Sequence, residues 1–280
     1  MESWRPIAPA FAKPRPEAWT NDRLTAAWLG HSTVLINFFG ITVLTDPVLL
    51  SRIGIPLPFT AIGPKRLTKP ALKIAELPPI DLILLSHAHF DHIDWRTLRR
   101  FDARTRVVSA PRTRDLLCGT RLRDITELRW GEEKEIKTAA GSLFVRAIRI
   151  NHWGARIRRD TYRGYNGYVL EREGRRVIFA GDTALTSSFA ELRDDRPYDL
   201  AIFGIGAYNP WIRSHCTPEQ AIAMANAAGA RFVMPVHHQT FKLSVEPLRE
   251  PIERFVRAMA NEPGRIALRE IGETFVLPED

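Results

Sequence analysis

From Leu24 onward the chain falls into short apolar runs separated by Gly, Pro and Asp. LTAAWLG (24–30), TVLINFF (33–39) and ITVLTD (41–46) are rich in β-branched and aromatic residues, so each predicts a strand. Phe39-Gly40 predicts the turn of a hairpin between the second and third. DLILLS (81–86), TRVVSA (105–110), SLFVRAIRI (142–150), YNGYVLE (165–171), RRVIFAG (175–181), DLAIFGIG (199–206), RFVMPV (231–236) and TFVL (274–277) predict further strands. Helices are expected near 94–101, 112–118, 187–194 and 246–260. Thr217 and Gln220 form a capping-box pattern with Pro218 at the first helical position, which predicts a helix running to about Ala228. Strands with helices interspersed predict an α/β fold of two mixed sheets with helices on the outer faces. Residues 1–22, rich in Pro and carrying Trp4, Phe11 and Trp19, predict an extended arm, packed on the surface or touching a membrane. Residues 23–280 fit a single domain with one core.

Composition adds little to this outline. A hydrophobic share of 45% and a charged share of 26% are those of an ordinary globular protein. The net charge of +8 favours anionic partners, although 33 Arg against 7 Lys, spread along the chain, reads equally well as a genomic bias. Cys118 and Cys216 are too few for a disulfide framework. The first residues hold no apolar signal segment, and no window reaches the roughly 18 apolar residues of a membrane span. The expected location is the cytoplasm, with peripheral contact at the inner membrane surface as a variant.

The stretch LILLSHAHFDHIDW (82–95) changes the picture. His87, His89, Asp91 and His92 follow directly on a buried strand. One histidine after a strand is ordinarily a polar strand end. Four such residues together, without a metal, would crowd imidazoles and a carboxylate at the edge of the core at a desolvation cost. In extended chain, positions i and i+2 share a side, so His87 and His89 are expected to grip one ion, with Asp91 and His92 reaching a second. His152, Asp182 and His237 also sit just past predicted strand ends, where ligand sites gather in α/β folds. Imidazole with carboxylate suits zinc, and also manganese or iron.

SHAHFDHID is similar to the H-x-H-x-D-H motif of the metallo-β-lactamase superfamily, and His152, Asp182 in FAGDT and His237 follow in the order of its remaining ligands. LGHSTVLI, LTDPVLLSR, GPKRL, IGAYNPW, SHCTPEQA and VHHQTF further resemble the branch containing N-acyl-phosphatidylethanolamine-hydrolysing phospholipase D, over roughly residues 25–275. The resemblance implies an αβ/βα sandwich with two divalent ions, Zn²⁺ in the first instance. His87, His89 and His152 would hold one ion, Asp91, His92 and His237 the other, and Asp182 would bridge them. It implies a hydrolase in which a metal-bridging hydroxide, oriented by Asp91 and Asp182, attacks a phosphodiester of a lipid or other small molecule. Bringing the pKa of water from 15.7 to about 7 accounts for about 12 kcal/mol at neutral pH.

The rival readings are a lactonase of the ascorbate-phosphate type and a metal-dependent binding protein without catalysis. A nuclease is not expected, because no RNA-gripping insertion is visible, and the sequence leaves the oligomeric state open. Among secondary positions, Asp46 reads as an acceptor orienting a ligand histidine or as a turn residue. His215, before a helix N-terminus, reads as a substrate-contacting or acid position. His238 reads as a pocket residue and His31 as structural or supporting rather than a ligand. The loop PVLLSRIGIPLPFTAIGPKRLTKP (47–70) places Leu49, Leu50, Ile53, Ile55, Leu57, Phe59 and Ile62 near Lys65, Arg66 and Lys69. That pattern suits an acyl chain or membrane surface, or a loop packed on its own core.

Overall fold

The computed structural model describes residues 4–279. The first half supplies β1 (Leu24–Gly30), β2 (Thr33–Phe38), β3 (Ile41–Thr45), a small ladder of β4 (Ile55–Pro56) and β5 (Ala61–Ile62), β6 (Leu82–Leu85), α1 (Trp95–Leu98), β7 (Arg106–Ser109) and β8 (Ile125–Glu127). The second half supplies β9 (Glu133–Thr138), β10 (Gly141–Ile148), β11 (Gly167–Arg172), β12 (Arg175–Phe179), β13 (Tyr198–Gly204), α2 (Pro218–Ala228), β14 (Ala230–Val236), α3 (Glu250–Ala258) and β15 (Thr274–Val276). Two mixed sheets result, ordered β15-β1-β2-β3-β6-β7-β8 and β14-β13-β12-β11-β10-β9. Phe39 and Gly40 both take positive φ between β2 and β3, the two-residue turn whose twist matches a hairpin.

Period-two alternation explains why the parallel-paired strands β12, β13 and β14 are largely apolar. Val177, Phe179, Leu200, Ile202, Met234 and Val236 join the core between the sheets. Their neighbours Ile178, Ala201, Phe203 and Val233 join a second core with Ala221, Ala225 and Phe255 of α2 and α3. Both faces of these three strands are therefore buried, as expected of strands paired in parallel and covered by helices. α2 starts and stops where the sequence predicts: Thr217 N–H donates to Gln220 Oε1 (3.0 Å), Gln220 N–H donates to Thr217 Oγ1 (3.3 Å), and Gly229 ends the helix at φ 81°.

Other elements differ from the sequence expectation. The helix expected at 94–101 is only the four residues of α1, capped by Asp94, which accepts from Thr97 Oγ1 at 2.6 Å. The segments 112–118 and 187–194 form 3₁₀ turns, Arg114–Leu117 and Ser187–Leu192. α3 begins at Glu250 rather than at 246, with Pro247 ahead of it and Pro251 in its first turn, where a missing N–H costs nothing. β9, EKEIKT, had no apolar signal because it is an edge strand in which only Ile136 is buried.

The loop 47–70 divides between its two expectations. Leu49 and Ile53 are buried and Leu50 is half-buried, whereas Ile55, Leu57, Phe59 and Ile62 are exposed, Phe59 by 95%. Arg66 corrects the surface reading of the basic group. It is fully buried, and its guanidinium donates to the carbonyls of Val48 (2.6 Å), Leu50 (3.0 Å) and Thr68 (3.4 Å), stapling the loop to the body. The arm packs along this loop, with Ala8 N–H on Leu67 O at 2.9 Å, and reaches Ile271 O through Ala12 N–H at 3.2 Å. Trp4 and Phe11 remain exposed. Among the described residues, no helix is long and apolar enough to cross a membrane.

Candidate metal centre

β6, β10, β12 and β14 end near one edge of the sandwich and deliver His87, His152, Asp182 and His237 there. His87 continues β6 in an isolated antiparallel bridge with Tyr165, and the chain turns from His89 onward. His92 N–H and Ile93 N–H both donate to His89 O, at 3.1 and 2.9 Å, and close the turn. His87 Nε2 lies 2.8 Å from His89 Nδ1, just ahead of this turn. His152 Nε2 lies 3.2 Å from the first and 3.4 Å from the second. Beside this trio, Asp182 Oδ2 stands 3.0 Å from His92 Nε2 and 3.2 Å from His237 Nε2. Asp91 Oδ2 is 3.6 Å from His237 Nε2 and 3.7 Å from His92 Nε2. Asp182 Oδ2 also reaches toward the trio, 3.9 Å from His87 Nε2.

The outer nitrogens of the rings decide what the inner ones offer. His152 Nδ1 donates to Ser214 O at 2.7 Å. His92 Nδ1 donates to Asp46 Oδ2 at 2.6 Å. Ser86 N–H donates to Asp46 Oδ1 (2.8 Å) and Ser86 O–H to Asp46 Oδ2 (2.5 Å). Because its proton is committed, Ser86 Oγ accepts from His87 Nδ1 at 2.9 Å. The Nε2 atoms of His87 and His152 therefore carry lone pairs that point into the centre, and His92 presents one there whenever it is neutral. Two imidazole lone pairs facing each other at 3.2 Å, between His87 and His152, repel unless a cation lies between them. Asp182 Oδ1 is buried with no hydrogen-bond partner among the described residues. The donor set fits a metal on both counts.

Electrostatics follow the same division. Burial, reinforced by neighbouring histidines, pushes His87 well below the ordinary imidazole range. Burial likewise lowers His152 and His89, so the trio stays neutral and ready to coordinate. At the carboxylate end, burial opposes charge but loses. The surrounding histidines hold Asp91 and Asp182 well below the usual carboxylate range. Asp182 and its fellow carboxylates lift His92 well above its ordinary value and His237 to about 9. This end is built to hold positive charge, for which protons and a metal cation compete.

Secondary positions vary. Asp46 is fully buried at φ 32° and is both a turn residue and the acceptor for His92. His31 Nε2 lies 3.0 Å from Asp91 Oδ2, and burial lowers its pKa to about 3, so the neutral ring donates to that carboxylate and orients it. His215 Nδ1 is 3.8 Å from Asp182 Oδ2, and burial lowers its pKa to about 4. His238 packs against Trp28 with ring centroids 4.5 Å apart and planes tilted by 38°, and borders a neighbouring cavity of about 230 Å³ with Phe241 and Leu243. It is the one histidine of eight outside the groups that converge on the centre. Sequence reasoning missed Ser86 and Ser214, whose only signal is adjacency to a candidate histidine. It also missed Trp153, which with Trp211, His89, Asp91, Asp182 and His215 lines a cleft of about 190 Å³ over the centre.

The backbone at the site is strained. His31, Asp46, Ala207 and His237 all have positive φ, a conformation that costs each about 1–3 kcal/mol and persists because its surroundings enforce it. Gly206 helps enforce it: a Cβ there would sit 2.3 Å from the His237 carbonyl oxygen. Gly206→Ala is therefore expected to destabilise the fold by about 1–3 kcal/mol through overpacking. It is also expected to weaken metal retention by displacing His237. Thermal melting and metal content of the variant check both effects.

A beta-lactamase superfamily domain matches residues 42–238. An uncharacterised protein of Mycobacterium tuberculosis is 33% identical over 277 residues, covering 94% of this chain and 72% of that protein. The N-acyl-phosphatidylethanolamine-hydrolyzing phospholipase D 1 of Caenorhabditis elegans is 30% identical over 252 residues, covering 84% of this chain and 70% of the relative. In fold, the chain resembles a metallo hydrolase from Ignicoccus hospitalis with a TM-score of 0.69 at 19% identity, over 92% of this chain and 99% of the other. With two mixed sheets, a histidine–aspartate centre at their edge and a match that spans most of the domain, the chain belongs to the metallo-β-lactamase superfamily.

Proposed function

We propose that the chain is a dinuclear metal-dependent hydrolase acting on phosphodiesters of the N-acyl-phosphatidylethanolamine type. The observation that carries this reading is the meeting of two donor sets at Asp182. His87, His89 and His152 form one set, Asp91, His92 and His237 form the other, and Asp182 Oδ2 lies within 3.9 Å of both. Imidazole-rich sets with carboxylates suit Zn²⁺, with Mn²⁺ or Fe as variants. When bound, two such ions supply Lewis acidity toward phosphoryl oxygens and water of near-neutral pKa.

The chain's own residues do the rest. Asp46, Ser86 and Ser214 hold three imidazoles in the ligating tautomer. His31 orients Asp91. His215, kept neutral by burial, presents an N–H donor to a substrate oxygen in the cleft. Trp153 and Trp211, each about half exposed, form apolar walls beside the charged centre. An anionic reacting group attached to an apolar body fits such a cleft, and the activity named for the Caenorhabditis elegans relative is of that kind.

A substrate panel tests the reading. The metal-loaded protein is expected to hydrolyse bis-p-nitrophenyl phosphate and N-acyl phosphatidylethanolamine, and His87→Ala is expected to lose at least about 10²-fold of that turnover. Turnover of lactones alone would replace the phosphodiester reading with a lactonase. Turnover of nothing by a metal-loaded protein would favour a binding role.

A further inference from the structure

We propose that Arg156 is a positioning residue that clamps the His87–His92 turn in its ligating shape, acting through the carbonyls of Ala88 and Ile93 and the ring of Phe90. The inference rests on the metal-centre reading above. The segment from His87 to His92 carries four candidate ligands, yet the backbone bonds that close its turn both converge on one acceptor, His89 O. The side chains of His89 and Asp91 stand on its outer arm and are less buried than those of His87 and His92. Something outside the turn must keep this arm from opening.

Arg156 is placed to do so. Its Nη1 donates to Ala88 O at 2.9 Å and to Ile93 O at 3.0 Å, bridging the two ends of the ligand segment. Its guanidinium carbon lies 4.0 Å from the centroid of the Phe90 ring, at the middle of the segment. One planar cation thus touches the turn at three points, with two hydrogens of one nitrogen shared between two carbonyls. Lysine is one atom shorter and has no planar face, so it can reproduce only part of the clamp.

Arg156 is itself held. Gly154 lets its loop pass so close to the returning chain that a Cβ would lie 2.2 Å from Arg163 O. Asp160 Oδ1 accepts from Ile157 N–H at 2.7 Å and Asp160 Oδ2 from Arg163 Nε at 2.5 Å. Arg163 continues to Asp115, at 2.6 and 2.8 Å, and to Arg112 O at 2.5 Å, tying the loop to the sheet that bears β6. The same loop begins with His152 and places Trp153 edge-on to His89 at 4.8 Å. Ligand, wall and clamp therefore come from one short segment with one anchor.

The test measures metal rather than turnover. Zinc affinity is read by chelator competition, the shape of the centre by the visible absorption of the cobalt-loaded protein, and folding by the melting of the metal-free protein. Arg156→Ala is expected to weaken zinc retention by about 10–100-fold and to alter the cobalt spectrum. Arg156→Lys is expected to recover part of both, and Arg158→Ala, an exposed change on the same loop, to leave both at parent values. Should Arg156→Ala fail to fold, Arg156→Lys decides, because parental zinc affinity and cobalt spectrum in that variant would overturn the inference. So would parental affinity and spectrum in Arg156→Ala, or an equal loss in Arg158→Ala. A parent protein that binds none of zinc, cobalt, manganese and iron would overturn the metal reading and this inference with it, whereas a metal-binding parent matched by Arg156→Ala overturns this inference alone.

Discussion

Asp182→Asn is expected to reduce bound metal from about two ions per chain to one or fewer and to lower turnover by at least about 10³-fold. The substitution keeps the size and shape of the side chain and removes only its charge. In the native chain one oxygen, Oδ2, faces His92 at 3.0 Å, His237 at 3.2 Å, His215 at 3.8 Å and His87 at 3.9 Å. Among the described residues no other carboxylate reaches both donor sets, since Asp91 is placed against His31, His92 and His237. An amide there would have to point either a weak neutral oxygen or an N–H at a divalent cation, and neither can bridge two of them. A 10³-fold loss corresponds to about 4 kcal/mol, within reach of one lost anionic ligand. The fold should survive, because a buried charge is being removed rather than added. Metal analysis with kcat measured on the same preparation, and circular dichroism as a folding control, checks this. A parent holding fewer than one ion per chain, with Asp182→Asn at the parental rate, would sink the dinuclear reading.

The seven residues of the two donor sets were legible because their side chains are of ligand type and each sits at or soon after a strand end. The sheets were legible for a related reason: strands buried on one or both faces leave apolar runs, as in RRVIFAG and DLAIFGIG. Elements that bury little leave no such trace. β9 shows one buried residue in six, and the helix expected after Asp94 lasts one turn. The residues that finish the site were illegible for a different reason. Ser86, Ser214 and Arg156 are unremarkable in type, and their roles arise from contacts across the fold, Arg156 acting more than sixty residues away from the turn it holds. The positive φ of His31 and His237 was equally hidden, since nothing in a histidine's identity announces a left-handed backbone. Type and spacing revealed what can coordinate, and only the packed chain reveals which nitrogen faces inward.

That last point makes Asp46→Asn the most discriminating substitution away from the ligands themselves. Asp46 accepts three hydrogen bonds: from Ser86 N–H, from Ser86 O–H and from His92 Nδ1–H. An asparagine can keep its oxygen on Ser86 N–H, and it then presents its NH₂ where Oδ2 stood. The amide would donate to His92 Nδ1, which can accept only if its proton moves to Nε2, the nitrogen facing the centre. The amide would also donate to Ser86 Oγ, releasing the hydroxyl proton to turn toward His87 Nδ1 at 2.9 Å. His87 would then carry its own proton on Nε2 as well. One isosteric change thus inverts two ligand imidazoles, one in each donor set, while every buried polar atom around position 46 keeps a partner. The expected outcome is a protein that melts within a few degrees of the parent, retains little metal at neutral pH and turns over at least about 10²-fold more slowly, as expected when an orienting carboxylate becomes an amide that favours the wrong tautomer. Asp46→Ala differs in a measurable way: it strands three buried donors and should cost about 3 kcal/mol or more in folding stability. If Asp46→Asn instead binds metal at parental affinity, the tautomer assignment fails, and Asp46 acts only as the turn residue that its backbone already makes it.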